Sequence, residues 1–166
     1  MVFVGIITDD KSKKYINKIL KDNIDNVCFQ IVYITEKSIE NMKNIRFDAI
    51  CINKEISKIE NLKDILINAR YIIINTDLNL NLNILSEINS IIITYGFNSK
   101  STITMSSNTE DNVQICVQRN ILNKKQDIEQ QEISLKKYEQ CDIYDIMLII
   151  ALLLIYNQDT IELLKF

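Results

Sequence analysis

The sequence predicts an α/β fold: a three-layer, Rossmann-like, mostly parallel sheet with a small antiparallel extension and C-terminal helices. Three observations carry this expectation. Short apolar runs alternate with segments of helical spacing over residues 1–97, the order expected of parallel β-α-β units with right-handed crossovers. After Gly96 the rhythm changes to closely spaced strand-like runs with no room for a helix between them. Near the C-terminus an apolar run, Ile146–Tyr156, has the length of a buried helix.

Val2–Thr8 is continuously apolar until its last residue, which suits a strand buried on both faces. Asp9 or Asp10 is placed to cap the next helix, whose Tyr15, Ile16, Ile19 and Leu20 share one face. Val27–Ile34 is the second strand, and Thr35 is placed to cap a short helix reaching Lys43. Ala49–Asn53 is the third strand. Asn61–Asn68 reads as a helix with Leu62, Ile65 and Leu66 inward. Tyr71–Asn75 and Ile91–Tyr95 are the fourth and fifth strands, with a helix over Leu80–Ile88 between them. Ser101–Ser106 and Asn112–Arg119 then form a hairpin around a polar loop. In its second arm Val113, Ile115 and Val117 alternate with Gln114, Cys116 and Gln118, the period of a half-exposed strand. Asn120–Glu129 is a polar turn and Glu132–Lys136 a further strand. Asp142 and Asp145 form a carboxylate version of an N-terminal cap for a helix over Tyr144–Tyr156. Asn157 or Asp159 separates it from a short helix, Thr160–Lys165. One domain, residues 1–166, is expected: a parallel βα core (1–97), antiparallel strands (98–137) and C-terminal helices (142–166).

Composition narrows the function classes. A net charge of −3 supplies no basic excess to neutralise phosphates, which argues against nucleic-acid binding. Met1 leads directly into VFVGIIT without a charged leader, and the longest apolar run falls short of the ~20 residues of a membrane span, so a cytoplasmic location is expected without membrane association. The four cysteines are scattered without a C-x-x-C pair, and there is no histidine, so no zinc site and no Cys-His or Ser-His nucleophile is available. At least three of the cysteines are expected to be small buried hydrophobes. Heavy use of Ile, Asn and Lys fits AT-rich codons and a bacterial source.

The stretch Ile93–Thr104, ITYGFNSKSTIT, follows the strand-like ARYIIINTD (Ala69–Asp77) and precedes the small antiparallel sheet and the apolar helix. In order and spacing, residues 65–166 resemble the end of the central, ATP-binding domain of the Mur ligases. Asn75-Thr76-Asp77-Leu78 resembles the family's Asn-x-Asp-Asp motif, with Leu78 in place of the second acid. Cys141, Asp142 and Asp145 fall where the family's His and two Asn lie, and Ile146–Ile155 resembles its Leu/Ala-rich helix. The departures bear on activity. The family cradles ATP phosphates in a Gly-Lys-Thr/Ser loop after its first strand; here that position reads Thr8-Asp9-Asp10-Lys11, whose acids repel phosphate. The family's histidine is missing, and the domain that delivers the amino acid is expected to be absent.

The resemblance therefore implies a shortened, degenerate, non-catalytic Mur-ligase-like protein: an interaction or regulatory module linked to the cell wall or sporulation, with no cofactor, no metal and no catalytic residue. The alternative is a small-molecule or nucleotide-binding domain with a pocket at the C-terminal edge of the sheet, built from Asn75, Asp77, Thr94, Asn98 and Lys100. Gly96–Ser101 is not a phosphate loop: Lys100-Ser101 would require glycines at Thr94 and Ser99, and a strand follows instead of a helix. A signalling domain phosphorylated at the end of its third strand would need an acid where Asn53 stands. Exposed edges in the hairpin region point to pairing with another chain, a homodimer or a protein partner.

Overall fold

The structure is a computed structural model and describes residues 2–23, 28–57, 59–80, 82–123, 126–136, 142–156 and 161. Its centre is an eight-stranded sheet. Parallel strands β1 (Val2–Ile7), β2 (Phe29–Tyr33), β3 (Ala49–Ile52), β4 (Tyr71–Asn75) and β5 (Ile91–Tyr95) are followed by β6 (Ile103–Asn108), β7 (Asn112–Val117) and β8 (Gln131–Lys136). The order is β2-β1-β3-β4-β5-β6-β7-β8. β6 joins β5 in parallel through one pair, Tyr95 and Ile103, and β7 and β8 complete an antiparallel meander. This is the α/β architecture, mostly parallel with an antiparallel extension, that the strand–helix alternation predicts.

The strand alternation feeds two separate cores. Val4, Ile6, Ala49, Cys51, Tyr71, Ile73, Ile93 and Tyr95 face helices α1 (Asp10–Asn23) and α4 (Ile143–Tyr156). Ile50, Ile52, Ile72 and Ile74 face the other way, onto Ile39 of α2 (Ile39–Met42), Leu62, and Ile65 and Leu66 of α3 (Lys63–Leu66). Both faces of β3 and β4 are thus covered, which is why their sequences are continuously apolar. α4 is buried all round from Asp145 to Ile155. It packs on the sheet as a core helix, and no helix among the described residues is long and apolar enough to cross a membrane.

Several local expectations need correction. The helix after β2 shrinks to four residues, and Thr35 does not cap it: its backbone N–H binds the Ser38 hydroxyl within a turn. The segment 82–87 is a 3-10 helix, and the helix expected over Asn61–Asn68 is divided into a 3-10 turn, Ile59–Leu62, and α3. β6 runs two residues past Ser106, shortening the hairpin loop. The polar turn after β7 contains a buried pair, Ile121 and Ile128, bridged antiparallel. Of the cysteines, only Cys51 is buried among those described; Cys28 is exposed and Cys116 half-exposed. Their strand-end and outward positions place them away from the core, so the expectation of three buried cysteines fails. The short helix expected over Thr160–Lys165 lies outside the described residues except for Ile161, which is buried.

Candidate functional site

In an open sheet of order 2-1-3-4-5, connections leave β1 and β3 toward opposite faces, and the crevice beyond their C-terminal ends is where such folds bind ligands. Here that crevice holds Thr8 and Asp9 after β1, and Asn53 and Lys54 after β3. The first turn of α4 lies across it.

Asn53 is completely buried. Its Nδ2 donates to Asp145 Oδ1 at 2.7 Å and to Thr8 Oγ1 at 3.1 Å. Its Oδ1 accepts from the buried Tyr95 hydroxyl at 2.6 Å. One amide thereby ties the ends of β1, β3 and β5 to α4. Burial pushes the Asp145 carboxyl up, hydrogen bonds from Asn53 and Ser12 pull it back, and the nearby Asp142 charge adds to the rise; the balance is a raised pKa. Burial also holds the Tyr95 phenol well above its ordinary range.

Lys54 stands at the rim. Its Nζ lies 3.1 Å from Asp142 Oδ2 and 3.6 Å from Asp9 Oδ2. Partial burial lowers the ammonium, but its hydrogen bond to Asp142 and the charges of Asp142, Asp9 and Asp145 more than offset this, so its pKa is raised. Each acid also terminates a helix. Asp9 Oδ1 accepts the Ser12 N–H at 2.8 Å and caps α1, which, with Lys54, holds Asp9 below its ordinary value. Asp142 Oδ1 accepts the Tyr144 N–H at 3.0 Å and caps α4. Asp142 therefore caps as expected, whereas Asp145 is drawn inward by Asn53.

A second polar group lies beside β4 and β5. Asn75 Oδ1 accepts the Asp77 N–H at 3.0 Å in an Asx turn. Asp77 Oδ2 accepts the Phe97 N–H at 2.7 Å and the Tyr144 hydroxyl at 3.0 Å, and the rings of Phe97 and Tyr144 meet edge to face. Burial, then the bond to Asp77, pushes the Tyr144 phenol up to about 12. Gly96 sits at φ +147°, and a Cβ there would lie 2.8 Å from both Asp77 Oδ2 and Thr76 Oγ1. Only glycine lets the chain pass so close to the Asp77 turn.

The five residues singled out from sequence thus have distinct places. Asn75 and Asp77 share this turn. Thr94 pairs with Thr102, whose N–H donates to Thr94 Oγ1 at 2.9 Å. Asn98 Oδ1 accepts the Lys100 N–H at 2.9 Å, and both residues are exposed on the loop. Cys141 lies outside the described residues. Sequence reasoning missed Lys54, Tyr95 and Tyr144 as parts of the network. Lys54 carried one legible signal: a cation immediately beyond the end of a buried parallel strand.

An open groove of about 850 Å³ lies at the other end of the sheet, between the strand beginnings. Phe3, Arg46, Asp48, Ile67 and Arg70 line it. Asp48 there accepts the Tyr156 hydroxyl at 2.7 Å, and the Arg70 guanidinium lies over the Tyr71 ring. None of the sequence-predicted site residues is in it.

No protein-family model matches the chain, and no curated protein matches it.

Proposed function

We propose that this chain is a non-catalytic, Mur-ligase-like protein acting as an interaction or regulatory module in the bacterial cytoplasm, in a process tied to the cell wall or sporulation. The observation that supports this reading best is the state of the β1/β3 crevice. Its polar side chains are engaged by the first turn of α4: Asn53 by Asp145, and Lys54 by Asp142 together with Asp9. A phosphate entering there would meet three carboxylates, and it would have to displace Asp142 and Asp9 to reach Lys54. The geometry holds α4 to the sheet and favours a fixed surface over a reacting centre. That supports the module reading, and the family link rests on the motif order of residues 65–166.

The test is ATP turnover and thermal shift with the purified chain, using Mg-ATP and cell-wall precursors. Neither turnover nor a shift across a saturating series is expected. Saturable ATP hydrolysis would overturn the reading. A shift without turnover would establish the alternative, a nucleotide or small-molecule site; stabilisation of about 2.7 kcal/mol accompanies a ligand at 100 times its dissociation constant.

A further inference from the structure

We propose that two copies of this chain pair antiparallel along the outer edge of β8, with Ser134 on the two-fold axis. This rests on neither the ligase resemblance nor the closed crevice. β8 is the last strand of the sheet among the described residues. The direction of its backbone groups follows from β7. Asn112 exchanges bonds with Thr109, and the Gln114 carbonyl accepts from Ser106, so the even residues of β7 point toward β6. Val113, Ile115 and Val117 therefore point toward β8, where they oppose Leu135, Ile133 and Gln131. The N–H and C=O groups of Glu132, Ser134 and Lys136 are left pointing away from the sheet, without a hydrogen bond among the described residues. Such an edge is a template for another strand.

Side-chain pattern selects the occupant and its register. Ile133 and Leu135 face the α4 core, while Glu132, Ser134 and Lys136 are exposed on the opposite face. Directly opposed residues in an antiparallel pair share a face, so an odd slip would set core residues against solvent-facing ones. Among the remaining registers, pairing about Ser134 places Glu132 of each copy opposite Lys136 of the partner copy. Slipping by two sets a charge against serine, and slipping by four sets Glu132 against Glu132 or Lys136 against Lys136. The self-complementary Glu-x-Ser-x-Lys strand thus fits a second copy of itself, in an isologous contact that closes as a dimer. Glu132 is held on the outer face by Gln114, whose Nε2 donates to it at 2.9 Å.

Sedimentation velocity of the full chain over a concentration series tests this. A reversible dimer is expected. Glu132→Lys alone and Lys136→Glu alone each set like charges opposite one another twice and should weaken it by about 10-fold or more. Mixing the two variants should recover association, because lysines then face glutamates. Ser134→Pro removes the outward N–H at the axis and should abolish the dimer, while thermal melting stays near wild type, since an edge strand tolerates proline where its N–H faces solvent. A wild-type chain that stays monomeric to about 1 mM, or single variants that associate as well alone as when mixed, would overturn the proposal.

Discussion

Asn53 donates a 2.7 Å hydrogen bond to Asp145, joining the end of β3 to the first turn of α4 across 92 positions of sequence. Both residues are buried, and Tyr95 and Thr8 complete the amide's partners. The contact stands where an α/β fold ordinarily leaves room for a ligand, and it fixes the helix that closes the first core.

Replacing Asn53 by Asp puts a second carboxylate against Asp145. Two buried acids at this distance cannot both ionise, so one must take up a proton at neutral pH. The Asn53→Asp variant should lose about 2–4 kcal/mol at pH 7 and recover most of it on acidification. Urea denaturation at pH 7 and pH 4.5 checks this; equal losses at the two values would show that the two side chains do not sense each other's charge.

Asp145 and Asp9 should shape the pH dependence in opposite directions. The folded Asp145 carboxyl has its pKa raised above 3.8, chiefly by burial. Its contribution is fully present below the unfolded value and is lost as pH rises through the folded one. Asp145→Asn keeps an acceptor for Asn53 without the buried charge, so its stability relative to wild type should improve as pH rises from 4 to 7. Asp9 is lowered below 3.8, chiefly by the Ser12 N–H. Its contribution is present above the unfolded value and is lost as pH falls through the folded one. Asp9→Ala should cost about 0.5–2 kcal/mol at neutral pH, as loss of a helix cap does, and less in acid. Stability measured against pH for both variants distinguishes the two signs.

The same residues show how far the sequence was legible. β4 spans the run Tyr71–Asn75 as expected, because a strand covered on both faces is apolar along its length. β5 also keeps its expected bounds, although only Ile93 and Tyr95 of it are buried. Leu62, Ile65 and Leu66 point inward as their spacing requires. Four-residue α2 and the 3-10 segment at 82–87 were harder, since neither is long enough to display a helical period. The Asx turn at Asn75 closes within two residues, so its only determinants lie next to it in sequence. The Asn53–Asp145 bond was not: nothing near either residue specifies the other, and only the packing of α4 onto the sheet brings them together. Asp142 and Asp145 look alike as capping acids, yet one meets Lys54 at the rim and the other is buried.

Gly96 provides a backbone test. Its φ of +147° is open to glycine, and an added Cβ would press on Asp77 and Thr76. Those side chains are themselves held, Asp77 by Phe97 and Tyr144, and Thr76 by Ser101. Gly96→Ala should therefore destabilise by about 1–3 kcal/mol through strain alone. Tyr144→Phe, which removes one bond to Asp77 and leaves its ring on Phe97, should cost only about 0.5–1.5 kcal/mol. Chemical denaturation of the two variants checks the order; a Tyr144→Phe loss exceeding that of Gly96→Ala would place the strength of this corner in the hydroxyl rather than in the turn.

Lys100 bears on whether the loop after β5 holds a ligand. Its side chain is exposed, and its backbone N–H already serves the turn at Asn98. Lys100→Ala should change stability by no more than about 0.5 kcal/mol, as surface substitutions do. If the loop is structural, the variant and wild type should show the same thermal midpoint with and without saturating Mg-ATP. If the loop binds an anion, wild type should gain stability from the ligand and the variant should gain less, because the Lys100 cation of the loop is gone. The difference between the two midpoints, read with and without ligand, separates a strand-to-hairpin connection from a binding loop.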